Sequence, residues 1–182
     1  LDAATSEWIG FLDDDDELLP NHFSTLMPAA LGAFAKLGND ARLAYALAQG
    51  VDANGANTDV YGRSFTRVKF WESTILTIMS AVFRRSLLAE GCRVDESLAL
   101  HEDWDFWLQC AQRTGFQYVE KITCRWHGAE GESGCGFGTN HDHARYVAAQ
   151  DIVKRKWAGA RDAAIAQITE ASRQAIAANA AG

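Results

Sequence analysis

The chain has 182 residues, 48% of them hydrophobic and 23% charged, which suffices for one domain with a sizeable core. A formal net charge of −7, with no basic run longer than Lys154-Arg155-Lys156, excludes the electrostatic footprint that a nucleic-acid partner requires. No apolar run approaches the roughly 20 residues of a membrane-spanning helix, and the first residues do not read as a signal peptide.

Glu7–Leu12 (EWIGFL) is a short apolar run that stops at four aspartates, the pattern of a strand buried on both faces. Pro20-Asn21 opens a helix whose apolar stripe is Phe23, Leu26, Met27, Ala30, Leu31 and Phe34. Pro28 is expected to kink that helix or shift its start, and Gly38-Asn39 closes it. Leu43–Val51 reads as a strand, Asp52–Gly55 as a turn, and the stretch from Thr58 to Trp71 as a strand followed by a mobile loop. Met79–Phe83 is a further strand, ending at Arg84-Arg85 and a short helix to Glu90.

Asp103–Arg113 has Trp104, Trp107, Leu108 and Ala111 on one helical face, stopped by Thr114-Gly115. Phe116–Val119 and Ile122–Trp126 are predicted as two short strands. Gly128–Asn140 is glycine-rich and polar, a long loop. From His141 onward the composition is Ala-rich and helical, with Tyr146, Val153 and Trp157, and then Ile165, Ile168 and Ala171, as stripes that would dock on the domain. Strands alternating with helices indicate an α/β fold with a mixed sheet. Cys92, Cys110, Cys124 and Cys135 show neither CxxC spacing nor a paired pattern, so reduced thiols are expected.

Two acidic motifs carry the chemistry. The first, Phe11-Leu12-Asp13-Asp14-Asp15-Asp16-Glu17, falls at the carboxyl end of a strand, where open α/β sheets bind ligands. Five adjacent carboxylates repel one another, and a hard divalent cation offsets that repulsion. In an extended chain Asp13 and Asp15 face the same side. The spacing is not that of an EF-hand, although a solvated acidic turn has the same composition. The second motif is His101-Glu102-Asp103-Trp104-Asp105-Phe106-Trp107. Acidic residues at a helix start are favoured by the macrodipole alone, but a carboxylate beside aromatic rings is also partly desolvated, which raises its basicity.

Four elements in order resemble family 2 glycosyltransferases over about residues 1–135. An apolar strand ending in FLDxDD resembles their metal-binding DxD element. Phe83-Arg84-Arg85 followed by Gly91 and Val94–Leu98 resembles the segment leading to their second acidic motif. Glu102-Asp103-Trp104 with its Trp/Leu-rich helix resembles the ED motif, and Arg125-Trp126-His127-Gly128 the arginine and histidine region after it.

The resemblance implies a Rossmann-like glycosyltransferase-A mixed sheet with a C-terminal α-helical extension. Residues 1–140 would form the catalytic domain without its N-terminal nucleotide-binding portion, and residues 141–182 a helical segment. It further implies an inverting, Mn²⁺- or Mg²⁺-dependent transfer from a nucleotide-diphosphate sugar, expected to be a UDP-sugar, to a saccharide, lipid-linked or other hydroxyl acceptor. Such enzymes build cell-envelope polysaccharides and glycolipids, in the cytoplasm or peripheral to the inner face of the membrane. By the same resemblance Asp13 and Asp15 contact donor and metal, Asp16 substitutes for either, and His127 adds a metal contact. Asp103 is the general base, Glu102 orients the motif or contacts the acceptor, and Arg84, Arg85 and Arg125 are candidates for the diphosphate. Trp71, Trp104, Trp107 and Trp126 are core aromatics, one of which could stack on a sugar. Without the upstream portion the isolated chain is expected to show little or no transfer, and the first strand an unpaired edge. The alternatives are a transferase-like domain that keeps the fold without the chemistry and, more distantly, a metal-dependent nucleotidyltransferase.

Overall fold

The computed structural model describes residues 1–129, 136 and 141–181. Most of the expected Gly128–Asn140 loop, together with Cys135, lies outside the described residues. The elements in order are β1 (Trp8–Gly10), β2 (Glu17–Leu18), α1 (His22–Leu37), β3 (Ala41–Val51), β4 (Asn57–Tyr61), α2 (Arg67–Phe70), β5 (Ala81–Arg84), α3 (Ser86–Ala89), α4 (Glu102–Ala111), β6 (Gly115–Trp126), α5 (His143–Lys156) and α6 (Ala158–Ala181), with single 3₁₀ turns at Gly38–Asp40 and Ile78–Ser80. They form a mixed α/β fold around one six-stranded sheet in the order β1-β5-β3-β6-β2, with β4 also paired to β3. The β3–β6 ladder is parallel and the others are antiparallel.

β3 is the strand buried on both faces. Its alternating side chains divide between two clusters, because successive Cβ atoms point to opposite sides of a sheet. Leu43 and Tyr45 enter the main core with Phe70, Trp71, Phe83, Trp104, Phe106 and Trp107. Ala44 and Ala46 meet Leu26 and Ala30 of α1 on the other face, where small side chains let the helix lie close. β1, which the apolar run assigned to that role, is instead a half-buried edge strand with Gly10 exposed. It pairs with β5, and its outer edge has no partner strand among the described residues.

α1 runs unbroken through Pro28 and ends where Gly38 adopts a left-handed φ of 58° and donates its N–H to the Phe34 carbonyl. Of the strand and loop expected over 58–71, the strand is β4, and the rest packs against the core. After β4 the chain turns at Gly62 (φ 110°), where a Cβ would lie 3.1 Å from Leu47 Cδ2, and it then buries Phe70 and Trp71. The two strands expected within 115–126 are one. Exposed Glu120 and Lys121 fall where the register against β3 shifts, so the polar pair marks an irregularity and not a turn.

α4 is buried nearly all round, through Trp104, Phe106, Trp107, Leu108, Cys110 and Ala111. The carboxylate of Asp105 is fully buried within it, and its neighbours satisfy it. Gln109 Nε2 (2.8 Å), Trp157 Nε1 (2.7 Å) and Lys156 Nζ (2.9 Å) all donate to it. This contact, with Val153 and Ala164 in the main core, docks α5 and the start of α6. Ile165, Ile168 and Ala171, expected to dock as well, face outward. Arg42, 3% exposed in β3, is held by Glu90 and by the carbonyls of Asn39 and Arg113. Cys92, Cys110 and Cys124 are buried free thiols. Among the described residues no helix is long and apolar enough to cross a membrane.

Replacing Asp105 strips the partner from a buried cluster of donors. Asp105→Ala is expected to destabilise the protein by about 2–4 kcal/mol, below the full cost of breaking a buried pair because Lys156 can rehydrate. Urea denaturation followed by tryptophan fluorescence measures this; a loss under about 0.5 kcal/mol would show that the carboxylate is not what docks α5.

Candidate functional site

The acidic turn is pinned at both ends. Before it, Phe11 leaves β1 and stacks on Phe83 (5.6 Å between centroids), with Phe106 and Trp107 edge-on at 5.7 and 6.1 Å. After it, β2 pairs with β6, Glu17 opposite Arg125 and Leu18 opposite Cys124. Between these anchors the chain does not stay extended. Asp16 N–H reaches back to the Asp13 carbonyl at 3.3 Å, closing a turn over Asp14 and Asp15. The turn, and not alternation along a strand, brings the Asp13, Asp15 and Asp16 carboxylates together, with one oxygen from each within 4.8 Å of the others. Asp14 points outward and is exposed.

Phe11 does more than hold the turn. Because it packs on Phe106 and Trp107, it ties the first acidic motif to the helix that begins with the second. Asp13, Glu102 and Asp103 consequently line one cavity of about 300 Å³, with Tyr61, Thr77, His101, Trp126 and Tyr146 among its other walls. Asp103 Oδ1 accepts the backbone N–H of Trp104 at 2.6 Å, which fixes the carboxyl at the start of α4.

The electrostatics follow from burial and crowding. Burial, then the neighbouring Glu102 and, more weakly, Asp13, push the Asp103 carboxyl up to about 7. Burial and the charges of Asp15 and Asp13 push Asp16 up to about 6, although its Oδ1 accepts the His127 backbone N–H at 2.9 Å. Asp13 is raised by burial and by Asp15, Glu102 and Asp14. The two motifs therefore act on each other as one field of negative charge. Three hard oxygen donors in mutual reach fit a divalent cation, and it would relieve the crowding that raises Asp13 and Asp16.

The cations expected at the diphosphate are placed otherwise. Arg84 pairs with Glu7 and lies 3.8 Å over the Phe34 ring. The antiparallel β1–β5 register sets it opposite Trp8, at the end of β1 away from Asp13. Arg85 donates to the Ser6 carbonyl. Arg125 lies beside the acidic turn, half-exposed and paired with Glu17 at 3.2 Å. His127 touches the cluster through its backbone, and its ring is not among the three converging ligands. Trp71, Trp104 and Trp107 are core residues, whereas Trp126 reaches the cavity.

His101 and Tyr61 were not singled out from the sequence. His101 occupies the N-cap position of α4, where Ser, Thr, Asp or Asn would supply a capping oxygen; a histidine in that place is the visible signal. Its Nε2 is buried without a partner, an arrangement that costs about 1–3 kcal/mol. Tyr61 enters the cavity because Gly62 turns the chain behind it, a tertiary effect with no local signature.

The fold and the site together define a mixed α/β protein with an acidic turn and an acidic helix start facing one cavity. No known protein-family model matches the chain, and no curated protein matches it either.

The raised carboxyl of Asp103 has a measurable consequence. A folded-state pKa above the ordinary value contributes stability that is full at low pH and is lost as pH rises through about 7. Burial lowers His22 and His101, whose contribution runs the opposite way over the same interval, so the informative comparison is with Asp103→Asn. Without divalent cations, wild-type Tm minus variant Tm should fall from pH 5 and level off above about pH 7. A difference that stays constant or grows would mean that Asp103 is not held in its neutral form by the fold.

Proposed function

We propose that this chain is the metal- and acceptor-binding part of an inverting glycosyltransferase, with a glycosyltransferase-A type sheet, acting on a nucleotide-diphosphate sugar such as a UDP-sugar. The observation that carries the proposal is the convergence of Asp13 and Asp103, from motifs far apart in the chain, on one cavity. The order of the four sequence elements supports it, as does the position of the acidic turn immediately after β1.

Mn²⁺ or Mg²⁺ would be held by Asp13, Asp15 and Asp16, and when bound it would neutralise the charge that develops on the diphosphate leaving group. The chain's own residues supply the rest. Asp103 takes the proton of the acceptor hydroxyl on Oδ2 while Oδ1 stays fixed by the Trp104 N–H. The freed oxygen forms a bond to the anomeric carbon from the face opposite the leaving diphosphate, whose carbon–oxygen bond breaks in the same step, so the configuration inverts. A carboxyl whose pKa lies near 7 suits this role, because a base is most effective when its pKa is close to the working pH. Glu102 raises the basicity of Asp103 by its charge. The aromatic packing of Phe11 on Phe106 and Trp107 keeps the two motifs at fixed separation, which gives the in-line geometry its rigidity.

Thermal unfolding of the purified chain with Mn²⁺, with and without UDP, tests the reading. At ligand concentrations near 100 Kd the expected stabilisation is about 2.7 kcal/mol, or roughly 5–10 °C in a chain of this size. Asp15→Asn should abolish both the Mn²⁺ shift and its increase with UDP, whereas Asp103→Asn should retain both. A UDP effect that is independent of Mn²⁺, or that survives in Asp15→Asn, would remove the acidic turn from the donor site.

A further inference from the structure

The cavity wall contains a histidine, His101, whose ring is bonded to the Tyr146 backbone while its Nε2 is buried without a hydrogen-bond partner. His101 is 7% exposed and is, among the described residues, the one non-glycine with a positive φ (63°, with ψ 22°). Glycine or asparagine occupies that conformation with least strain. The position is an N-cap, yet the His101 side chain makes no capping bond. Its ring is not part of the Asp13–Asp15–Asp16 cluster. Backbone geometry, helix capping and cation binding thus all favour some other residue here.

What the imidazole does have is a fixed place in the cavity wall. Trp104 and Tyr146 meet it edge-to-face at 5.8 and 4.6 Å, which sets the plane of the ring. Nε2 is buried without a hydrogen-bond partner on a residue that lines the same space as Asp13, Glu102 and Asp103. Burial lowers the histidine's pKa, so the ring is neutral at neutral pH, with one donor and one acceptor nitrogen. A neutral donor–acceptor group suits a hydroxyl better than it suits an anion. The cavity, about 300 Å³, lies at the small end of ligand pockets and has room for one pyranose ring; Tyr61 and Trp126 supply aromatic surface against it.

We propose that His101 is a sugar-binding residue of this site, its Nε2 hydrogen-bonding a hydroxyl of the same pyranose ring whose reacting hydroxyl faces Asp103. The assignment rests on the glycosyl-transfer reading for the identity of the reacting hydroxyl, and it makes the acceptor a single monosaccharide residue at the point of reaction.

The test uses the full chain, a panel of methyl hexopyranosides with their monodeoxy analogues, and ligand-observed NMR. The variants are His101→Gly and His101→Asn, both of which accommodate the positive φ, and a cooperative thermal transition in each checks that it folds. At least one methyl hexoside should bind wild type, and its affinity should fall about three- to ten-fold in each variant, the worth of one neutral hydrogen bond. One monodeoxy analogue should lose the same factor against wild type and nothing further against the variants. Unchanged affinity in the variants, an equal loss for every analogue, or no binding by any hexoside would overturn the proposal. The Mn²⁺–UDP shift is a separate readout. If it is present while hexoside binding ignores His101, the assignment of His101 falls and the transferase reading stands; His101-dependent hexoside binding without that shift keeps the sugar site and removes the donor chemistry.

Discussion

Everything at the candidate site depends on how four aromatic rings pack. Phe11, Phe83, Phe106 and Trp107 lie within about one ring width of each other, and they come from the end of β1, the middle of β5 and the first turns of α4. Dispersion and area burial hold such a cluster, so its geometry does not vary with salt or pH as that of the charges above it does. Two groups of carboxylates that repel each other are kept at one cavity by apolar contacts beneath them. The repulsion is stored in the shifted proton affinities of Asp13, Asp16 and Asp103, and it is available to whatever positive group or proton enters.

Some of this was legible in the sequence, for identifiable reasons. α1, β3 and α4 follow from periodicity, because each buries a face large enough to impose its pattern on many residues. The acidic motifs were visible as composition, and their placement at a strand end and a helix start followed from the apolar runs beside them. The arrangement of their oxygens was not visible, since it depends on a turn closed by Asp16 N–H and the Asp13 carbonyl, and any extended-chain argument misses it. EWIGFL read as a doubly buried strand because its composition is apolar; which face is covered depends on neighbours that composition does not name. Arg84 illustrates the same limit. Its charge suggested a phosphate partner, but antiparallel register carries it to Glu7 and the Phe34 ring. Phe70 and Trp71 become core because the chain folds back after Gly62, a reversal with no periodic signal.

The charges in and around the core follow one rule with different outcomes. Asp105 and Arg42 are surrounded by complementary donors and acceptors and act as fasteners between elements. The charges that raise Asp13, Asp16 and Asp103 are all carboxylates, although Asp16 and Asp103 each accept a backbone N–H. The fold thus contains one carboxylate ringed by side-chain donors, Asp105, and a set crowded by its own sign. That contrast within one chain separates the site from ordinary surface acidity more clearly than the number of aspartates does.

One wall of the cavity is borrowed. Tyr146 belongs to α5, and α5 is held by Val153 and by the Trp157 and Lys156 contacts to Asp105, two to three helical turns further along. The pocket therefore inherits the local stability of a docked helix as well as that of the sheet. Heat or denaturant can release that helix while β3, β5 and β6 remain paired, so the ability to hold a small ligand and the integrity of the fold are distinct thresholds, the first lying below the second.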